Sequence, residues 1–231
     1  MSAAHREQVF TLMRDRILRG EFVGGTKLRA SHLAEELGFS RTPVSEALMG
    51  LEAEGLLIGD KSGYTLRSFS FDEVLIAIRL CGLLEATAAQ SAAKRGLAPG
   101  EIEILRDLLS AIDDVLNQDD SSDYDPLNEE FHHTLTSFCG SPLLIEEVQR
   151  SYRFPFAGPS AFPAEVRPSA AFEQSLVVAQ AQHRTIVDAI KARESARAFA
   201  LVQEHARLAY TNAIVAMDAK ERHPNLALVQ G

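Results

Sequence analysis

The sequence has no tryptophan and only two cysteines, Cys81 and Cys139. These cysteines are too far apart in sequence for a zinc knuckle, so we expect a reduced, cytoplasmic chain. No uninterrupted apolar run approaches about 18 residues, and we therefore expect no membrane-spanning helix and no membrane partner. The first seven residues lack the apolar core of a signal peptide, which argues against secretion.

The charge is unevenly distributed along the chain. Residues 1–70 carry nine basic and nine acidic residues, whereas residues 71–231 carry the remaining fourteen basic and twenty-three acidic ones and hence the whole net charge of −9. An acidic average argues against nucleic-acid binding, but only the charge of the docking face matters for phosphate contact. The neutral first segment therefore remains a candidate DNA-binding region.

Residues 1–69 predict three helices followed by a two-stranded hairpin, the pattern of a winged helix–turn–helix. Apolar residues at helical spacing from Val9 to Ile17 predict the first helix, and Gly38 ends a short second one. Thr42 and Pro43 predict the cap and first position of a third helix. Residues 56–58 and 64–66 predict two strands joined by a turn at 61–63.

The rest of the chain predicts helices only. Ser70 and Glu73 form a capping box at the start of a long helix that reaches about residue 95. Further helices are predicted up to about residue 217. The predicted fold class is therefore mainly α, with a winged helix–turn–helix in 1–69, an all-helical bundle of six to seven helices in 70–219, and a tail in 220–231.

The beginning of the third predicted helix carries the candidate base-reading residues. Ser40, Arg41 and Thr42 occupy that end, where free backbone N–H groups also point at phosphate. Arg41 is the candidate for a bidentate guanine contact, the alternative being an ordinary solvated arginine. The candidate phosphate contacts and wing residues are Lys27, Arg29, Lys61, Ser62 and Gly63.

The predicted bundle contains a set of histidines on separate helices. Asn128 and His132 lie four residues apart and share a helix face, while His133 points elsewhere. His183 and His205 lie on two later helices. A lone histidine on a helix is most often structural. For three histidines on separate helices, one with an amide on the same face, a structural role and a metal or effector site are equal alternatives.

Two stretches resemble known families. "GFSRTPVSEALMGLEAEGLL" at 38–57, after "LRGEFVGGTKL" at 18–28, is similar to the DNA-binding domain of GntR-family transcription regulators. That resemblance implies a missing base contact, because the family usually has arginine where this chain has Ser45. "LLEATAAQSAA" at 83–93, "NEEFH" at 128–132, "HRTIVDAI" at 183–190 and "EHARLAYTNA" at 204–213 resemble the all-helical FCD effector domain of the FadR-like subfamily.

The FCD resemblance implies a divalent metal held by one aspartate and three histidines. The matching positions here are Asn128, His132, His183 and His205, so an amide replaces the carboxylate. Neutral nitrogen ligands with an amide favour Zn²⁺ or Ni²⁺ over Mg²⁺ or Ca²⁺. The alternative is that the histidines bind an effector directly.

The resemblance also points to effector contacts. Family members often place an arginine where Cys81 stands, so the resemblance implies either that the charge is supplied by Arg79 or that the effector is less acidic. The segment 150–162 is rich in aromatic residues and somewhat resembles the vanillate-type regulators that respond to aromatic acids. The candidate effector residues are Arg79, Cys81, Arg150, Arg153, Phe154, Phe156 and Tyr210.

These features predict a homodimeric repressor that binds a pseudo-palindromic DNA operator and is released by a small organic acid. A regulator that senses the metal itself is the first alternative. A metal-dependent hydrolase is the alternative from another class, but the sequence has no HExxH-like pairing of histidines with a general base. We therefore expect no enzymatic activity.

Overall fold

The computed structural model describes residues 2–18, 21–118, 123–152, 170–218 and 229–230. The chain forms two compact units, one built mainly from Met1–Val74 and the other mainly from Leu75–Tyr152 and the two long helices that follow. The change from one unit to the other falls within a single helix, α4.

The first unit is a helical layer with a small antiparallel sheet. Its elements are α1 (Ser2–Leu18), β1 (Lys27–Leu28), α2 (Ala30–Leu37), α3 (Arg41–Ala53), β2 (Leu57–Asp60), β3 (Gly63–Leu66) and β4 (Phe69–Ser70). The sheet has the order β1-β3-β2, and Leu57 lies opposite Leu66. The predicted helix–turn–helix and its wing are therefore present, with β1 as an additional strand.

The core of the first unit lies between α1 and α3. Val9, Met13 and Ile17 on α1 are fully buried, as are Leu48 and Leu51 on α3. Burial of each such side chain contributes about 1.5–3 kcal/mol. Helix α3 thus lies on a fixed support, and its opposite face is left for other contacts.

The predicted start of α3 is wrong by two residues. The helix begins at Arg41, and Ser40 takes the cap position with an extended backbone (φ −71°, ψ 161°). Pro43 is consequently the third helical residue instead of the first. Proline is tolerated there because the first-turn N–H groups have no helical acceptor.

The second unit consists of helices in its described part. They are α4 (Phe71–Arg95), α5 (Pro99–Leu116), α6 (Tyr124–Ser137), α7 (Pro142–Ser151), α8 (Ala170–Lys191) and α9 (Ser195–Asp218). The capping box is formed at the start of α4, since the Ser70 N–H donates to Glu73 and the Glu73 N–H donates to Ser70 Oγ. The Ser141 hydroxyl likewise accepts the N–H of Leu144 and caps α7.

Small residues on α4 let the other helices approach it closely. Ala86, Ala89 and Ala93 are completely buried, and larger side chains from the neighbouring helices, among them Phe131 and Ile186, fill the core around them. Gly82 has a similar role, because a methyl group at this position would overlap the Cβ of Ala206 on α9. Helices α4 and α9 therefore cross at a contact that glycine permits.

Helix α4 is long and apolar. Among the described residues it is the one helix long and apolar enough to cross a bilayer by length and composition, with a mean hydropathy of 1.4 in its best window. The core helix of a globular protein meets the same criterion, so the expectation of no membrane-spanning helix stays a prediction. Within the structure, 44% of that window is buried.

The predicted tail contains a strand. Val229–Gln230 (β5) pairs in parallel with Phe69–Ser70 (β4) in a two-stranded sheet. A two-residue strand is too short to give a period-two pattern in the sequence, so the prediction missed it.

Candidate functional site

The exposed face of α3 carries the predicted base-reading residues. Ser40, Arg41 and Thr42 are exposed at the start of the helix, and Ser45 is partly exposed one turn later. No ion pair among the described residues involves Arg41. An exposed guanidinium at a helix N-terminus can approach a base edge or a phosphate.

Lys27, at the edge of the wing sheet, is held in an ion pair. Lys27 Nζ donates to Asp60 Oδ2 and to Ser62 Oγ, both at 2.9 Å. Hydrogen bonds from Ser62 and Lys27 hold the pKa of the Asp60 carboxyl well below its usual range. Gly63 follows with φ 131°, a conformation that favours glycine in the turn.

Two other predicted phosphate contacts lie exposed on this unit. Arg29 precedes α2 at its cap position, and Lys61 lies in the wing turn. Neither side chain takes part in an ion pair within the described part of the chain. Arg29 and Lys61 are thus available to an external anion. Lys27 must either break its ion pair with Asp60 or contact Asp60 and the anion at the same time.

Three predicted metal ligands converge inside the second unit. His183 Nε2 lies 3.1 Å from His205 Nε2, which lies 3.3 Å from His132 Nε2. Helices α6, α8 and α9 each supply one of these rings. His132 and His183 are buried, and one nitrogen from each ring lies within 4.8 Å of the others, as binding to a shared ion requires.

The opposite nitrogen of each ring contacts an oxygen acceptor. His132 Nδ1 lies 3.1 Å from Glu85 Oε1, and His183 Nδ1 lies 3.2 Å from Gln180 Oε1. His205 Nδ1 lies 2.9 Å from Gln182 Oε1. An acceptor at Nδ1 favours the tautomer whose unprotonated Nε2 can bind a metal.

The electrostatics also favour neutral rings at His183 and His205. Burial, followed by the charges of His205 and His132, lowers the pKa of His183 well below its usual value. Burial and the charge of His132 lower the pKa of His205 to about 3, although Glu85 opposes that shift. Burial would raise the pKa of Glu85, but the interaction with His132 outweighs it and the pKa is lowered.

Asn128, the fourth predicted ligand, lies one turn before His132 on α6. It is buried, and its Oδ1 accepts a hydrogen bond from the Tyr124 hydroxyl at 3.4 Å. Phe131, the residue before His132, is fully buried, and its ring packs against His183 at a tilt of 37° with a centroid distance of 4.4 Å. An apolar wall of this kind strengthens electrostatic interactions within the cluster.

The predicted effector residues lie in separate places. Arg79 lies over the ring of Tyr210 at 5.6 Å, and both line a groove of about 490 Å³ between α4 and α9. Cys81 is instead buried beside Glu85, and burial raises the pKa of its thiol. Arg150 is at the surface and pairs with Glu146 and Glu147. Arg153, Phe154 and Phe156 lie outside the described residues.

Sequence reasoning missed the residues that surround the histidines. Glu85, Gln180 and Gln182 were not predicted as site residues, nor was Tyr152, whose hydroxyl donates to Glu85 Oε1. One signal was available, because Glu85 is a lone carboxylate on the buried face of α4, where the other side chains are small. Gln180 and Gln182 gave none, because glutamine is common on exposed helix faces.

Two family models match the chain. The model of the FCD domain covers residues 77–208, and the model described as bacterial regulatory proteins of the gntR family covers residues 5–63. Together they span both units. The expected winged helix–turn–helix followed by a helical FCD domain is confirmed.

Relatives agree with this assignment. The chain is 29% identical over 203 residues to the HTH-type transcriptional repressor GlaR of Escherichia coli, covering 84% of this chain and 88% of that protein. It is 32% identical over 143 residues to the Nta operon transcriptional regulator of Aminobacter aminovorans, covering 59% and 65%. The solved structure of E. coli McbR/YncC shares the fold, with a TM-score of 0.69, 21% identity and coverage of 94% and 98%. The chain therefore belongs to the FCD-domain, FadR-like branch of the gntR family of DNA-binding transcription regulators, which is a family of regulators and not of enzymes.

Proposed function

We propose that this regulator is a cytoplasmic homodimeric repressor, released from its operator by a small carboxylic acid that binds at or near a Zn²⁺ or Ni²⁺ ion. The convergence of three histidine Nε2 atoms carries this proposal, since those of His183 and His132 lie 3.1 and 3.3 Å from that of His205. Three unprotonated nitrogens facing each other repel, and a shared cation turns that repulsion into coordination.

The DNA half of the proposal rests on the exposed start of α3. Arg41, Thr42 and Ser45 would face the major groove, with Arg41 as the guanine contact. Because Ser45 is too short to replace an arginine, we expect an operator that differs from the common half-site of the family. Ser40 would lie beside Arg41 at the start of the helix. Arg29, Lys61, Ser62 and Gly63 would contact the DNA backbone, and Lys27 would contribute less while paired with Asp60.

The residues present fit the proposed metal. His132, His183 and His205 would hold it through Nε2, with Asn128 as the candidate for a fourth, amide ligand. Nitrogen donors of this kind suit Zn²⁺ or Ni²⁺. The bound ion would supply positive charge for a carboxylate. The resemblance to vanillate-type regulators makes aromatic acids the first class to test, with Arg153, Phe154 and Phe156 as candidate contacts.

The dimer would use the exposed face of α4. Ile76, Leu80 and Leu83 lie at helical spacing and are 63%, 52% and 45% exposed, so they form an apolar stripe that a second copy would cover. Sedimentation of the Leu80→Glu variant tests this surface. A variant that remains dimeric at the concentration where the wild type does would contradict it.

Effector binding would act by favouring an arrangement of the dimer that fits DNA poorly. A coupling free energy of about 1–3 kcal/mol lowers operator affinity roughly 5- to 150-fold. A ligand with equal affinity for both arrangements would release nothing.

A mobility-shift experiment on DNA upstream of the protein's own gene tests the proposal. We expect binding with a steep salt dependence, and release by a member of a panel of aromatic and sugar acids, only in metal-loaded protein. Release by a chelator alone, with no effect of any acid, would favour the metal-sensing alternative. Absence of specific binding at low salt would contradict the proposal.

A further inference from the structure

The oxygen acceptors around the histidines are held in place by contacts of their own. Gln180 Nε2 donates to the Leu109 carbonyl at 2.7 Å and to Asp113 Oδ1 at 2.8 Å. With its amide nitrogen engaged in this way, only its oxygen can face His183. The orientation of Gln180, and through it the tautomer of His183, is therefore fixed from outside the cluster.

Glu85 has the same role at His132 but differs in charge. Its Oε1 contacts both His132 Nδ1 and the Tyr152 hydroxyl, and the residue is only 7% exposed. The corresponding acceptors at His183 and His205 are neutral amides. Of the three acceptors, Glu85 alone can place a negative charge against the ligand set.

We propose that Glu85 is a positioning residue that holds His132 as its Nδ1–H tautomer and, through its charge, increases the affinity of the cluster for a divalent cation. This inference rests on the proposed metal site. A carboxylate behind a histidine makes the ring more basic and orients it, and removal of such partners typically costs about 10- to 100-fold in metal affinity.

Two substitutions separate charge from hydrogen bonding. Glu85→Gln keeps the shape and an oxygen that can accept from both His132 and Tyr152 but removes the charge. Gln182→Glu adds a carboxylate at the matching position on His205. Glu129→Gln is the matched control, because it removes an exposed carboxylate from α6 that pairs with His133.

The experiment measures Zn²⁺ and Ni²⁺ affinity of the full chain by competition with a chromophoric chelator. We expect Glu85→Gln to weaken binding about 10- to 100-fold, Gln182→Glu to strengthen it and Glu129→Gln to leave it unchanged. Should Glu85→Gln fail to fold, the expected gain in Gln182→Glu still tests the charge. Wild-type metal affinity in Glu85→Gln, or in a folded Gln182→Glu, would overturn the role of the charge but not the positioning role.

The tautomer is measured separately, without metal. Nitrogen NMR of the metal-free wild type should show His132 protonated at Nδ1, and Glu85→Met, which lacks an acceptor, should lose that preference. An unchanged tautomer in Glu85→Met would overturn the positioning role. Wild-type protein that binds neither ion would overturn the metal proposal and the affinity role of Glu85 with it, whereas wild-type binding with an unchanged variant would overturn only the latter.

Discussion

The two units carry their candidate functional residues in opposite ways. On the first unit, Arg41, Arg29 and Lys61 lie exposed on a helix end, a cap and a turn, supported by a core on the other side of α3. In the second unit, His132 and His183 are buried and contact acceptors that are themselves held. A surface that reads a polymer must keep its cations solvated, whereas an ion site requires a rigid and dry surrounding layer.

The strongest test of this contrast removes the buried ligands. His132→Ala combined with His183→Ala should reduce bound zinc from one ion per chain to almost none by elemental analysis, because a single ring then remains. His133→Ala is the control, since this neighbouring ring is partly exposed and pairs with Glu129. Full metal content in the double variant would show that the ion binds elsewhere.

A substitution on the first unit should leave the metal content unchanged and alter DNA binding. Arg41→Ala should lose about 1–3 kcal/mol of operator discrimination, a roughly 5- to 150-fold change in a titration against matched and mismatched duplexes. Arg197→Ala, an exposed arginine on α9 paired with Glu194, provides the control. Unaltered discrimination by Arg41→Ala would mean that another surface reads the bases.

A smaller effect should distinguish two lysines of the wing. Lys61→Ala should lower the slope of log affinity against log salt by about one, as loss of one phosphate contact does. Lys27→Ala should change it less, because Asp60 already neutralises Lys27. Equal slopes for the two variants would show that the ion pair opens on DNA.

The fold was largely predictable because its local signals agree with its packing. The capping box of Ser70 and Glu73 predicts a helix start that the structure confirms. The start of α3 was mispredicted because Thr42-Pro43 resembles a cap followed by a first-position proline, while Ser40 takes the cap. Strands β1 and β5 are two residues long and leave no periodicity to detect.

The site was predictable only in part. Spacing along one helix related Asn128 to His132, but it could not bring together rings from three helices, and the family resemblance supplied that grouping. The acceptors Gln180 and Gln182 escaped prediction because their role depends on which way the helices face. Arg79 and Cys81 are two residues apart on α4, so helical rotation places one on the groove and the other in the interior.

The missing side chain at Gly82 has a consequence for the histidine cluster. Gly82 lies one turn before Glu85 on α4, and Ala206 follows His205 on α9, so their close approach sets the distance between the helix that carries Glu85 and the helix that carries His205. The absent methyl group thus determines how closely the helix with Glu85 can approach the helix with His205. In a relative with bulky side chains at both positions, the two helices must cross farther apart, and the spacing around any bound ion must be reached by other means.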